Sequence, residues 1–312
     1  MRTPLMSPIR RVRPASVTPE PLQPGDNLRG AGLMILSMMG FTCNDAIIKF
    51  VTQDLPLYQV MTLRGLSVMM FLVFVTRAQG GLRLRLPADA RWPMVLRLLG
   101  EVGSTLLFLN ALTRMAIADL TAVMQSLPLV VMLGAALFFN ETLGWRRLSA
   151  VGVGLLGVLV ILRPGSGTFG IWALVALGAM LMVALRDLST RRFRRDVTSG
   201  TIAFYAAVTV TVTGFVLSMG QGWVMPGPGQ IALILVGAGF LTVGYVCGVA
   251  AMRVGEISAV TPFRYTSLLI AIVIGFVLFG DFPDMWTWIG AALVVGAGIY
   301  TIWREAKLGR RR

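Results

Sequence analysis

Histidine is absent from all 312 residues. That absence removes imidazole metal ligands, haem ligation through histidine, His-based proton relays and every Ser-His-Asp or Cys-His nucleophilic arrangement. Cysteine is nearly absent too: Cys43 and Cys247 both fall inside long apolar stretches, so no disulfide framework is implied. The two lysines, Lys49 and Lys307, sit in no glycine-rich phosphate loop, and the chain carries no soluble ATPase domain. Charged residues make up only 13% of the chain, against about 25% in soluble proteins. Almost no amphipathic segment is present to cover the core of a large soluble domain, which excludes that class. Residues 1–29 hold five Arg and six Pro but no apolar run. They read as a flexible basic tail and not as a signal peptide, whose apolar region would run about 7 to 15 residues. A signal-anchor role for the first span stays open.

What remains is grease. Hydrophobic residues make up 56% of the chain and the mean hydropathy is +0.77. Ten stretches are long enough to approach or cross a hydrocarbon core of about 30 Å: Ala31–Val51, Leu57–Val75, Met94–Met115, Ala118–Phe139 and Leu148–Leu162, then Phe169–Leu185, Ile202–Met219, Ile231–Met252, Ile257–Phe279 and Met285–Trp303. The net charge of +14 does not point to nucleic acid, because the charges sit in loops between spans. With ten spans, 22 basic residues fall on the side that holds both termini, Arg186 among them. Arg114 and Arg163 fall on the other, with Lys49 as a third if the end of its span is included. The positive-inside rule then makes both termini cytoplasmic.

The expected fold class is an all-α polytopic membrane protein whose ten transmembrane helices form two inverted five-helix repeats, residues 30–164 and 165–305, with basic cytoplasmic tails at 1–29 and 306–312. The polar turn Asn140–Gly144, with Glu141, separates the fourth and fifth spans, and Phe279-Gly280-Asp281 leads to a similar turn before the tenth. A repeat with an odd number of spans inverts its second copy, the arrangement used for alternating access. Pro128 and Pro262 occupy roughly parallel places in the fourth and ninth spans, where proline frees a carbonyl and kinks a helix. Small-residue stripes at Gly152, Gly154 and Gly157, at Gly244 and Gly248, and at Ala292 and Gly296 offer faces for close helix approach.

A few ionisable groups fall inside spans, where each has to be paired, buried in the bundle or in contact with water. Asp45 lies about 9 Å from the end of its span at ~1.5 Å per residue, and Arg64 lies at a matching depth in the second span. They read as a substrate-binding or gate pair, or as a structural ion pair. Asn44 and Gln125 share that level. Arg97 and Glu101 stand four apart on one helix face, so a local pair competes with a functional role for Glu101. Arg264, beside Pro262 in the most polar span, has no acidic neighbour in its helix. It reads as a ligand contact for a carboxylate, phosphate or polarised carbonyl, with Glu101 as the competing structural partner. Tyr245 and Tyr265 are candidates to stack on a planar substrate, and interfacial anchoring or core filling is the alternative for such rings.

Three motifs carry a family resemblance. Phe138 to Arg147 (Phe-Phe-Asn-Glu-Thr-Leu-Gly-Trp-Arg-Arg) leads into Val153 to Pro164; Phe279-Gly280-Asp281 leads to Gly290 through Gly298; and Asn44 to Lys49 is followed by Gln59 and by Arg64-Gly65. The chain resembles the drug/metabolite transporter superfamily in its ten-helix EamA-domain branch, from about Gly30 to Glu305. The third motif is similar to the subgroup that includes carriers for S-adenosylmethionine and riboflavin, and amino-acid exporters share the architecture. Asp281 departs from the glutamate usual in the family. The resemblance implies an inner-membrane carrier of a small organic metabolite, working by alternating access without a cofactor, in contact with membrane lipid.

In that reading Asp45, Arg64, Glu101, Gln125, Tyr245, Arg264 and Tyr265 bind substrate. A role for Asp45 or Glu101 in proton coupling is open, as is the choice between monomer and homodimer. The competing class is a non-transporting membrane scaffold, whose intramembrane charges would merely pair. An intramembrane enzyme lacks its catalytic constellation.

Overall fold

The computed structural model describes residues 26–78, 87–139, 144–163, 170–190, 192, 199–254 and 257–309. The turn bearing Glu141 and both tail extremities lie outside the described residues. Every described element is helical: α1 Asp26–Val51, α2 Leu57–Ala78, α3 Arg91–Leu112, α4 Ile117–Met124, α5 Leu127–Phe139, α6 Trp145–Leu162, α7 Ile171–Thr190, α8 Ser199–Ser218, α9 Pro228–Val254, α10 Ile257–Val260, α11 Thr266–Ile274 and α12 Met285–Gly309. Among the described residues nine segments are long and apolar enough to cross a membrane, and α2 adds a shorter apolar run over Leu57–Val73. The chain is a multi-pass membrane protein.

Helix ends extend beyond the apolar runs, because backbone hydrogen bonding continues into the interface while hydropathy falls. Thus α1 starts at Asp26, whose carboxylate in the first turn complements the helix dipole, and α12 runs on to Gly309.

The fourth and ninth spans are interrupted rather than kinked. The fourth is α4 and α5, separated by a turn at Gln125 and Ser126. The ninth is α10, a 3-10 segment Thr261–Tyr265, α11 and a wide-turn segment Gly275–Phe279. In each case the proline opens a new segment from its first turn, Pro128 in α5 and Pro262 in the 3-10 segment. There a missing N–H leaves no bond unmade.

The helices pack in pairs: α1 with α9, α2 with α8, α3 with α7, α4 with α11 and α6 with α12. In spans these are one with eight, two with seven, three with six, four with nine and five with ten. Glycines set the closest approaches. A Cβ at Gly40 would stand 2.7 Å from the Phe240 carbonyl, and Ser37 Oγ donates to the Gly244 carbonyl at 2.6 Å. Gly157 and Gly290 face each other so tightly that a Cβ on either would lie 2.7 or 2.5 Å from the other's carbonyl oxygen. Gly154, Gly157, Gly244 and Gly248 make the close contacts their stripes imply, while Gly152 and the α12 stripe do not. Gly152 and Gly296 touch nothing and Ala292 is exposed; α12 presents Gly290 and Gly298 inward instead.

Candidate functional site

Ten spans with short turns put the two termini at one end of the bundle, the terminal end. The α1–α2, α3–α4 and α8–α9 connections lie at the other, the distal end. Apolar packing concentrates distally: Ile48, Val51, Val60, Leu112, Ile117 and Leu120 are all essentially buried in one cluster. Polar contacts across the halves reinforce it. Lys49 Nζ donates to the Met115 carbonyl at 2.7 Å, pairs with Asp281 at 3.4 Å and lies over the Phe279 ring. Arg163 pairs with Asp284, Thr287 Oγ1 donates to Asp119 at 2.9 Å, and Gln59, fully buried, makes two hydrogen bonds with the Val224 backbone.

The terminal half is built differently. Glu101 lies between Arg97 at 3.3 Å and Arg186 at 3.6 Å, Arg97 also donates to Thr190, and Arg186 pairs with Asp187. Arg186, counted from sequence among the loop charges, is part of α7 and of this network. Glu101, a predicted substrate residue, is held by two guanidinium groups, and Arg264 is not among its partners. These ion pairs join α3 to α7.

Between the halves lie Asp45 and Arg64. Asp45 accepts a hydrogen bond from Asn44 Nδ2 at 3.0 Å, with Asn44 itself buried. Among the described residues no ion pair joins Asp45 to Arg64, although each charge acts on the other through space. The Arg64 guanidinium has no hydrogen-bonding or ion-pair partner among them. Tyr245, edge-on to Phe41 at 5.2 Å, is 52% exposed yet feels the charges of Glu101, Arg186, Arg64 and Arg97. Tyr245 stands on α9, which packs on both α1 and α2.

The two interrupted spans meet beside it. Gln125, in the α4–α5 break, donates through Nε2 to the Arg264 carbonyl at 3.2 Å and to Ser267 Oγ at 2.9 Å. A break in one half thus supplies the donor for a carbonyl in the break of the other. A cavity of about 30 Å³, room for one water, lies there among Gln125, Pro128, Thr261, Arg264 and Tyr265. The Arg264 side chain is exposed and unpaired. Tyr265 is buried, and its hydroxyl, without a partner, points at Gly298 of α12. The predicted residues therefore fall into two groups, Asp45–Arg64–Glu101–Tyr245 and Gln125–Arg264–Tyr265. Sequence reasoning missed the Lys49–Asp281 link. Its signal was a rare lysine at a span end, facing a turn aspartate on the same side.

No group of histidine, cysteine, aspartate or glutamate suited to a metal ion occurs among the described residues. A solved crystal structure superimposes with a TM-score of 0.63 at 18% identity, covering 88% of this chain and 96% of that one, a likeness of fold. The chain is 25% identical to the S-adenosylmethionine uptake transporter of Rickettsia conorii over 91% of this chain and 96% of the relative. It is 28% identical to the riboflavin transporter of Vibrio cholerae over 61% and 64%, and 25% identical to a pseudopaline exporter of Pseudomonas aeruginosa over 86% and 94%. The model of the EamA-like transporter family matches twice, over residues 28–163 and 170–303. The chain belongs to the EamA-like transporter family.

Proposed function

We propose that this protein carries a small organic metabolite across the inner membrane by alternating access, with both termini in the cytoplasm and two inverted five-span repeats, residues 30–164 and 165–305, as its moving halves. Family membership makes it a secondary transporter of a small metabolite and not an enzyme. The observation that carries the mechanism is the meeting of two interrupted spans, one from each half, bridged by Gln125. Interrupted helices offer polar backbone and side-chain groups at mid-membrane depth without exposing them to lipid. The helix pairing supports the repeat: exchanging each span with the one five places on returns the same set of pairs. The excess of basic residues at the terminal end supports a cytoplasmic location for it. Distal packing then seals the outer side, and the volume beside Arg64 and Tyr245 opens inward.

The substrate is S-adenosylmethionine or riboflavin, as the names of the relatives have it, or an amino acid, and meets Arg64, Tyr245, Gln125 and Arg264 on its way. A scaffold reading requires intramembrane charges that only pair, and the guanidinium groups of Arg64 and Arg264 have no partner among the described residues. The test is uptake by purified protein in liposomes of labelled S-adenosylmethionine, riboflavin and amino acids, with and without a proton gradient. At least one is expected to accumulate, and Arg264→Ala to reduce its uptake. Absence of movement for all three classes would contradict the reading.

A further inference from the structure

Asp45 and Glu101 are carboxylates with partners of different kinds. Each oxygen of Glu101 meets its own guanidinium, Oε2 with Arg97 at 3.3 Å and Oε1 with Arg186 at 3.6 Å. A guanidinium only donates. It suits the ionised carboxylate and offers nothing to a protonated one, so a proton arriving at Glu101 costs both ion pairs. Asp45 has one hydrogen-bond partner among the described residues, the Asn44 amide, whose Nδ2 donates to Oδ1 at 3.0 Å. That asparagine is 1% exposed, and its own Oδ1 is buried without a hydrogen-bond partner, beside Gly237 of α9. An amide carries both a donor and an acceptor. Its nitrogen serves the ionised Asp45, and after a half-turn its unused oxygen accepts from the protonated one, so the pair keeps a hydrogen bond in both states. The ionisable side chains described on the elements packed against α1 are Tyr245 and Cys247 of α9 and Arg264 and Tyr265 at the ninth-span break. Within its span α1 adds Cys43 and Lys49, and α2 adds Tyr58 and Arg64. Of these only Arg64 acts on Asp45, through space and without an ion pair. Such an attraction falls with distance and opposes a proton less than two direct pairs do. A carboxylate in a membrane bundle with no cation bonded to it is relieved by a proton.

Resting on the transporter reading above, we infer that Asp45, with Asn44 as its positioning partner, binds and releases the proton that drives transport, and that Glu101 does not. The step is a proton transfer alone. The Asp45 O–H bond forms with a proton from water on one side of the membrane and breaks to water on the other, as the two ends open in turn; nothing is oxidised or reduced. The Asn44 amide turns with it, donor in one state and acceptor in the other. Glu101 stays ionised throughout and holds α3 to α7.

The full chain in liposomes is offered labelled S-adenosylmethionine, labelled riboflavin and a labelled amino-acid mixture, and whichever moves is followed under a pH gradient of either sign, a sodium gradient or none. One pH unit is tenfold in proton concentration, so coupling to one proton should change the accumulated level by up to about tenfold. Asp45→Asn should abolish that gradient effect, Asp45→Glu should restore it, and Glu101→Gln should keep it. Exchange of labelled for unlabelled substrate at equal pH moves no net proton, and recorded alongside it separates lost coupling from lost fold. A second readout needs no transport. Infrared difference spectra of the detergent-solubilised protein between neutral and acid buffer should contain a protonated-carboxyl component that is missing in Asp45→Asn and present in Glu101→Gln. Persistence of the gradient effect or of that component in Asp45→Asn would overturn the inference. So would substrate movement that ignores the pH gradient or follows sodium instead, either of which leaves the transporter reading standing. If no probe moves, the transporter reading fails and takes the inference with it.

Discussion

The two ends of this bundle use charge in different ways. At the distal end Lys49, Asp281, Arg163 and Asp284 tie together helices that are far apart in sequence and lie over a dense apolar cluster. At the terminal end the ion pairs of Glu101 join α3 to α7, and Arg64 has no ion-pair or hydrogen-bonding partner among the described residues. Both ends thus carry bolts between the two repeats, and the difference is that the distal ones lie over a dense apolar core. On the proposed mechanism the distal end is the closed one in this structure, and the terminal-side groups are the ones that meet substrate.

The sharpest way to break this contrast is to reverse a bolt. Lys49→Glu sets a carboxylate against Asp281 and leaves the Met115 carbonyl without its donor. Uptake in liposomes should fall by about 100-fold, in line with the few kcal/mol that placing two carboxylates together at a partly buried site costs. Adding Asp281→Lys should recover part of it, and no recovery would mean the pair does not couple the halves. Gln125→Leu removes both hydrogen bonds across the interrupted spans. About 1 kcal/mol for each of the two bonds predicts roughly 30-fold slower uptake with normal expression, and unchanged uptake would make the bridge incidental. Gln59→Leu deprives the Val224 backbone of two partners. It should lower the unfolding free energy by about 1 to 3 kcal/mol, read as a lower melting temperature in detergent, with less effect on substrate affinity. Tyr265→Phe is the mildest. Its hydroxyl is buried without a partner against Gly298, so the melting temperature should hold or rise slightly. A clear loss of uptake would instead bring Tyr265 into the binding site.

Much of the fold was legible because lipid imposes a simple rule: about 20 apolar residues per span, with backbone bonds satisfied within the helix. What was not legible depends on partners distant in sequence. Pro128 and Pro262 announced a disturbance, but each opens a new segment instead of kinking a continuous one, and Gln125 donates across the break to the Arg264 carbonyl of the other half. Arg186 looked like a loop charge because Arg191, Arg192, Arg194 and Arg195 follow it; its place in the bundle is made tolerable by Glu101, which sequence spacing cannot show. The same holds for the glycines. The stripe at Ala292 and Gly296 obeyed the four-residue spacing, yet Gly290 and Gly298 make the contact, since helix rotation is set by the facing helix.

The central claim, a structure closed distally and open toward the cytoplasm, is most directly tested by thiol accessibility. With Cys43 and Cys247 replaced by serine, Tyr245→Cys should react with a membrane-impermeant maleimide in inside-out vesicles. It should stay unreactive in intact cells stripped of their outer membrane until Lys49→Glu is added. Equal labelling from both sides, or labelling from the outer side alone, would contradict it.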